Sequence, residues 1–438
     1  MDQQTAPSTG AAFVGGPALH PQFDALAREL HARPYGVVPA PARIVHLALT
    51  GGNSAVERAA VAQLCVNHRA PSPPAGASHV QLECDGFRLT WERHAEFATY
   101  TFVLPWQGDA LFPPVGALAL PLPHDWIAGL PGQVVAAVQM ALIIGELPPQ
   151  ATIAELFEGG NIVGGFAAGG LAQLWTDLRP DHDHFVRMIV HSGTMTSPRQ
   201  AGRLVQRLLE IETYTMMALL ALPLAREINP AVTAIERNLT GIAEATTGAD
   251  ALEDEQALLK RLLGLAAELA TLGARTPYRF GAARAYYALV QKRIEELRER
   301  RIEGRQTIGE FMERRLSPAM RTCETMERRL ESLSERVARA SDMLRTRIDV
   351  TLAAQNRDLL LSMNRRARLQ LRLQQTVEFF SIAAITYYGA GLVGDIAHGA
   401  AVLGFAVDEP LAVAISVPVI GGLLLVGLWA FHEWLGRD

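Results

Sequence analysis

Lysine is almost missing from this 438-residue chain. Lys260 and Lys292 are its only two, and every other basic side chain apart from histidine is arginine. That bias reads as genomic composition before it reads as function. Cysteine is nearly as scarce. Cys65, Cys84 and Cys323 are odd in number and far apart, which excludes a disulfide framework or a cysteine zinc cluster and points to reduced thiols in a cytosolic setting. Excess positive charge is also lacking: the formal net charge is −5 and the pI is near 6.2, so there is no global basic footprint for nucleic acid. The opening "MDQQTAPSTGAAFVGGPALHP" has no basic segment and no long apolar stretch. It is expected to be a disordered leader over residues 1–19, not a signal peptide. Phosphate-loop and dinucleotide fingerprints are absent, as is a nucleophile elbow.

What is present divides sharply. The chain is too long for one ordinary core and predicts two or three structural units. Residues 20–195 read as an α+β head. "HPQFDALARELHARPY" predicts a short amphipathic helix broken at Pro34, and "ARIVHLALT" a buried strand. "NSAVERAAVAQLCVNH" predicts a helix capped by Asn53 or Ser54. "HVQLECDGFRLTWERHAEFATYTFVLPW" predicts an antiparallel meander turning at "DG" and "RHAE". "LPGQVVAAVQMALIIG" is expected to be a helix after Pro131. Two further strands, roughly Gly170–Leu178 and Phe185–His191, flank "RPDHD". Residues 196–306 read as helical, with Ser197 as cap, Pro198 at the first position and a kink at Pro223. The stretch 230–305 reads as a helical pair or hairpin.

From Thr307 a single helix is expected to run through 378 as a stalk. Cys323, Met326, Leu330, Leu333, Val337, Ala340 and Leu344 step by three and four, a heptad seam. Ile348 and Leu352 follow at four and four, a stutter. Beyond Glu378 the character changes within one turn. Phe379–Gly394 carries no charge, and Leu411–Phe431 holds about 21 uncharged residues, enough to cross ~30 Å of hydrocarbon. Pro418, Gly421 and Gly422 are tolerable in a membrane helix, and Trp429 and Trp434 stand where interfacial aromatics would. The expectation is a transmembrane hairpin within 379–438, with helices at about 379–400 and 411–431. Arg357, Arg365, Arg366, Arg368 and Arg372 precede it, whereas 395–410 has no basic residue. That asymmetry puts the N-terminal bulk and the tail "HEWLGRD" in the cytoplasm.

Several clusters invite a chemical reading. "DHDH", Asp181–His184, offers imidazoles and carboxylates to a metal, with His191 nearby, but no companion ligand at ligand spacing; a solvated turn is the simpler reading. "GGNIVGGFAAGG" reads as a flexible loop or as close backbone packing, and "HSGTMTS" lacks a nucleophile context. "ELHARP", Glu29–Pro34, reads as a salt-bridged helix end. Asp395 and His398 share a helical face, as ionisable residues with a function in a membrane do, or sit among headgroups if the helix ends near Gly394. Tyr387 and Tyr388 read as interfacial or packing aromatics. No catalytic, cofactor-binding or metal residue is assigned, and no cofactor is expected.

Three long strings carry a resemblance: "ARELHARPYGVVPAPARIVHLAL", "ELFEGGNIVGGFAAGGLAQLWTDL" continuing into "HFVRMIVHSGTMTSPRQAGRLVQRLLEIETY", and "QNRDLLLSMNRRARLQLRLQQTVEFFSIAAITYYGAGLVG". They resemble a bacterial family of membrane-anchored proteins, domain of unknown function 3422, over roughly residues 20–435. The resemblance implies a shared architecture and no established activity. A looser resemblance, of layout only, is to CorA-type magnesium channels, whose pore helix ends in Gly-Met-Asn after a tyrosine. Here Tyr388 and Gly389 fit, but Ala390 and Gly391 stand where methionine and asparagine belong, which removes the polar ring that would hold a hydrated cation.

The resulting expectation is an α+β cytoplasmic head with antiparallel strands, a long α-helical stalk and a C-terminal two-helix transmembrane hairpin in the bacterial inner membrane. Its expected partners are the lipid bilayer, a second copy of the chain as a homo-oligomer and an unknown protein, with no nucleic acid. A structural, sensing or scaffolding role is expected rather than an enzymatic one; the alternative is CorA-like ion transport.

Overall fold

The structure, a computed structural model, describes residues 19–23, 26–27, 36–74, 76–115, 120–157, 160–248, 251–404, 406 and 408–435. The expected leader and "ELHARP" therefore lie outside the described residues, as does most of the first amphipathic helix. The chain separates into two compact units, residues 1–244 with 261–339 and residues 245–260 with 340–438.

The first unit is organised by a nine-stranded sheet. Its strands are β1 (Ala42–Thr50), β2 (His79–Cys84), β3 (Phe87–Arg93), β4 (Phe97–Pro105), β5 (Gln133–Ile143), β6 (Val163–Ala167), β7 (Ala172–Pro180), β8 (Val186–His191) and β9 (Arg300–Arg301). They lie in the order β2-β3-β4-β1-β5-β8-β7-β6-β9. The meander β2-β3-β4 forms as its alternation and turns predict. The sheet is mixed, not wholly antiparallel, because β5 pairs in parallel with β8.

Helix α1 (Ser54–Asn67) covers one face. Asn53 caps it, its side chain accepting from the Ala55 N–H at 2.8 Å. Val61, Leu64 and Cys65 of α1 pack on Val45, Leu47, Leu89, Trp91, Tyr100 and Phe102, all buried. A second cluster gathers Ile143, Trp175 and Ile189 around Ile153 and Phe157, at the short helix Gln150–Leu156 (α3, after α2 at His124–Ala128).

One expectation fails here and another is resolved, both for physical reasons. "QVVAAVQMALI" is the central strand β5 and not a helix. From Ala136 to Ile143 every residue is buried, because a central strand covered on both faces loses its period-two signature and reads as a plain apolar run. Of the two readings of the glycine-rich string, its described residues follow close backbone packing. Within it Val163–Ala167 is strand β6, and a Cβ on Gly164 would fall 2.8 Å from the Trp175 ring. Close packing is the reason for that glycine.

Helix α4 (Pro198–Leu219) crosses the sheet's other face against β5 and packs on α7 (Pro277–Leu297). Between them come α5 (Ala221–Thr247) and α6 (Leu252–Arg275), so the stretch expected to be a helical pair holds three helices. The break falls at Leu220, and Pro223 sits in the first turn of α5.

The long helix α8 spans Ile308–Val402. Its start is a capping box: Thr307 Oγ1 accepts from the Glu310 N–H at 3.2 Å and Glu310 Oε2 from the Thr307 N–H at 3.1 Å. Glu299 accepts from the next two free amides, of Ile308 and Gly309, at 3.0 Å each. In the first unit Cys323, Met326, Leu330, Leu333 and Val337 of the seam are buried, and Arg329 fastens that turn to Glu236, Asn229 and Thr233 of α5.

In the second unit Leu344 and Ile348 are buried, while Arg347 pairs with Glu255 and donates to the Thr246 carbonyl at 3.1 Å. Helix α8 does not stop near Gly394; it passes Asp395 and His398 before α9 (Glu409–Leu435) begins. The two helices meet through small residues. A Cβ on Gly389 would lie 3.1 Å from Ile420, one on Gly394 3.1 Å from Val413, and one on Gly421 3.7 Å from Thr386. Ala390, Ala397 and Ser416 are buried there, whereas Phe379, Phe380, Tyr387, Leu392, Leu411, Leu423, Val426 and Trp429 face outward.

Candidate functional site: a polar cleft between sheet and helix

Alternation along β1–β4 sends every second side chain away from α1. Where that face would ordinarily be apolar, it carries His79 and Gln81 from β2, and Arg88, Thr90 and Glu92 from β3. Thr99 and Thr101 come from β4, and His46 from β1. Helix α4 closes the other side with Gln206, Leu209, Glu210, Thr213 and Tyr214. Between them lies a narrow cleft with about 80 Å³ of enclosed space, room for a few water-sized groups. Gly202 makes the helix's approach possible: a Cβ there would fall 1.7 Å from the Gly36 carbonyl oxygen, where the chain crosses α4 and Val38 N–H donates to the Pro198 carbonyl at 3.0 Å.

His46 is the most buried ionisable group of the cleft. Its Nδ1 is 2.8 Å from Thr101 Oγ1 and its Nε2 3.0 Å from Thr213 Oγ1, so the imidazole ties strand to helix. Burial, assisted by nearby His94, pushes its pKa down to about 3, and the ring is neutral at physiological pH. On the meander wall Glu92 stands between two imidazoles, 3.9 Å from His79 Nε2 and 3.9 Å from His94 Nε2. The His94 ring stacks on Phe97 at 4.3 Å, and Tyr214 stacks on Tyr286 at 5.8 Å. On the helix wall Glu210 pairs with Arg293 and accepts from Gln206 at 3.0 Å, while Glu296 receives both Arg293 and Arg207. Arg88 donates to the Val37 carbonyl.

Hydroxyls, amides, imidazoles and one bracketed carboxylate suit reversible recognition of a small polar ligand. Among the described residues the lining holds no serine or cysteine; Cys65 and Cys84 belong to the core on the opposite face of the sheet.

The clusters singled out from sequence do not converge on this cleft. Asp181 accepts from the Asp183 and Phe185 amides at 2.9 Å each and pairs with Arg187 at 2.7 Å, so its carboxylate organises a turn. His191 bonds the Gly145 carbonyl at 2.7 Å rather than leaning toward that turn. Ser192 donates to the Met195 carbonyl at 2.7 Å and is buried. Among the described residues no group of three or more His, Cys, Asp or Glu side chains is disposed to hold a metal. The cleft itself was missed because its members lie on four strands and one helix. The available signal was a run of polar residues at alternate positions of the meander.

A family model described as "Protein of unknown function (DUF3422)" matches residues 18–435, and the chain belongs to that family. No curated protein matches it.

Proposed function

We propose that this member of a family without an assigned function is an inner-membrane protein. In this reading α9 and the apolar end of α8 form a transmembrane hairpin. The sheet unit serves a structural, sensing or scaffolding role in the cytoplasm, and the polar cleft is where a ligand is sensed. The observation that carries the reading is Pro410–Ala430: 21 residues with a mean hydropathy of 2.5, of which Ser416 alone is buried. At ~1.5 Å per residue it measures about 31 Å, the thickness of a bilayer's hydrocarbon. Leaving such a helix in water would expose more apolar area than soluble chains tolerate. The contrast is internal: Pro198–Thr247 is also apolar enough to span, but 61% of its most apolar window is buried in the fold, so it is core. The small-residue contact between α8 and α9 supports a membrane hairpin, since close backbone approach is what drives helix pairing in lipid.

The orientation is tested with reporter fusions at Asp438. A reporter active only in the cytoplasm is expected to work there, and one active only outside the cytoplasm is expected to fail. Ion conduction is the competing role. It needs a polar stripe along the first apolar helix, and between Phe379 and Gly394 only Ser381, Thr386 and the two tyrosines offer one, with Asp395 and His398 following. Purified chain in liposomes is expected to pass no Mg²⁺ above empty liposomes. Flux that falls in Asp395→Asn would defeat the anchor reading.

A further inference from the structure

The last helical turns before Phe379 carry an arginine stripe with little to neutralise it within the chain. Arg365, Arg368 and Arg372 step by three and four along one face of α8, with Arg357 about two turns earlier and Arg366 beside them. All five are exposed. Asp358 is the only acid between Arg357 and Arg372, and it is engaged by Arg357 at 3.6 Å. Among the described residues none of Arg365, Arg366, Arg368 and Arg372 has an ion-pair partner. Some exposed arginines elsewhere in the chain are met by acids, as Arg275 is by Glu227, Arg284 by Glu327 and Arg339 by Glu335. Others on α8, such as Arg314 and Arg321, have no such partner among the described residues; the stripe differs in gathering four of them within eight residues. Leu369, Leu371, Leu373 and Val377 are exposed among them, so the stripe is set in apolar surface that runs on into the uncharged stretch.

We infer that this stripe is a binding surface for anionic lipid headgroups, an inference that rests on the membrane reading above. The magnitudes agree. With hydrocarbon beginning near Phe379, Arg372 stands ~10 Å from it and Arg368 ~16 Å. A headgroup layer of ~5–7 Å leaves Arg372 at its edge and Arg368 within a Debye length of ~8–10 Å. Arg365 and Arg366, near 20 Å, add only long-range attraction. Each guanidinium presents a fork that matches a phosphate oxygen pair, and an anionic headgroup offers that phosphate without the choline cation that repels arginine in a zwitterionic one.

The test uses the full chain reconstituted in vesicles of phosphatidylcholine with a minor share of phosphatidylglycerol. It is then extracted gently, and the lipid that stays bound is measured by mass spectrometry. The native chain is expected to retain phosphatidylglycerol about fivefold above its share in the vesicle, the effect of one arginine in reach of the surface. Arg368→Gln/Arg372→Gln, which keeps helix propensity, is expected to return to the vesicle ratio. Arg314→Gln/Arg321→Gln, the same charge change on an exposed part of α8 far from Phe379, is expected to match the native chain. Retention at the vesicle ratio by the native chain, or undiminished retention by Arg368→Gln/Arg372→Gln, would overturn the inference. Flotation separates this from the reading it rests on. A native chain that floats with the vesicles but shows no enrichment defeats the headgroup site alone, and one that does not float defeats both.

Discussion

His46 and Glu212 are both buried and oppose each other across the same pH range. Burial holds His46 near a pKa of 3, below its ordinary 6.5, so its folded form binds fewer protons than its unfolded form. The stability it contributes is complete above pH 6.5 and is lost as pH falls toward 3. Burial raises Glu212 from 4.5 to about 7, so its contribution is complete below pH 4.5 and is lost as pH rises toward 7. Between 4.5 and 6.5 the two slopes, each about 1.4 kcal/mol per pH unit, offset one another. Glu212→Gln is expected to unmask His46. The melting temperature of the detergent-solubilised variant should climb with pH over that window while the native chain's stays level. A variant profile as level as the native one would show that Glu212 does not titrate there. A different residue-scale expectation concerns Glu57, buried and held by Arg93 at 2.8 Å. Glu57→Ala removes this ion pair from a buried carboxylate and is expected to lower the melting temperature. Neither histidine of the Glu92 bracket was legible beforehand, because His79 and His94 become neighbours only when β2 and β3 pair.

At the scale of elements, legibility followed amphipathicity. Strands β2, β3 and β4 face core on one side and polar cleft on the other, so their alternation survives in the sequence. Strand β5 has core on both sides, and its alanines and methionine mimic a helix. The seam of α8 was legible because one stripe of a charged helix is apolar, and Leu330 and Val337 are buried where that stripe falls. Replacing both by Asp should bury unpaired charge and cost several kcal/mol; an unchanged melting temperature would mean those positions are not packed. What the spacing could not say is that the seam packs on helices of its own chain in the first unit, as the Arg329 contacts with α5 record. Gly202 is the single position on which the helix wall of the cleft depends. Gly202→Ala must push α4 off the Gly36 carbonyl and is expected to cost ~1–3 kcal/mol, again read as a lower melting temperature. A variant as stable as the native chain would mean the crossing is loose.

For the whole molecule, the family match from residue 18 to 435 means that sheet unit, long helix and apolar end form one inherited arrangement. The membrane reading divides it near Gln374: α4, α5 and α8 as far as Ile348 bury apolar faces within the fold, α8 from Leu359 to Leu373 leaves its leucines exposed among charges, and the uncharged apolar stretches follow. The most direct measurement is alkaline carbonate extraction of cell membranes, comparing the full chain with a chain ended at Gln374. The account predicts that the full chain stays in the membrane pellet while the shortened chain is recovered folded in the supernatant. A full chain released by carbonate would contradict it, and so would a shortened chain that remains in the pellet.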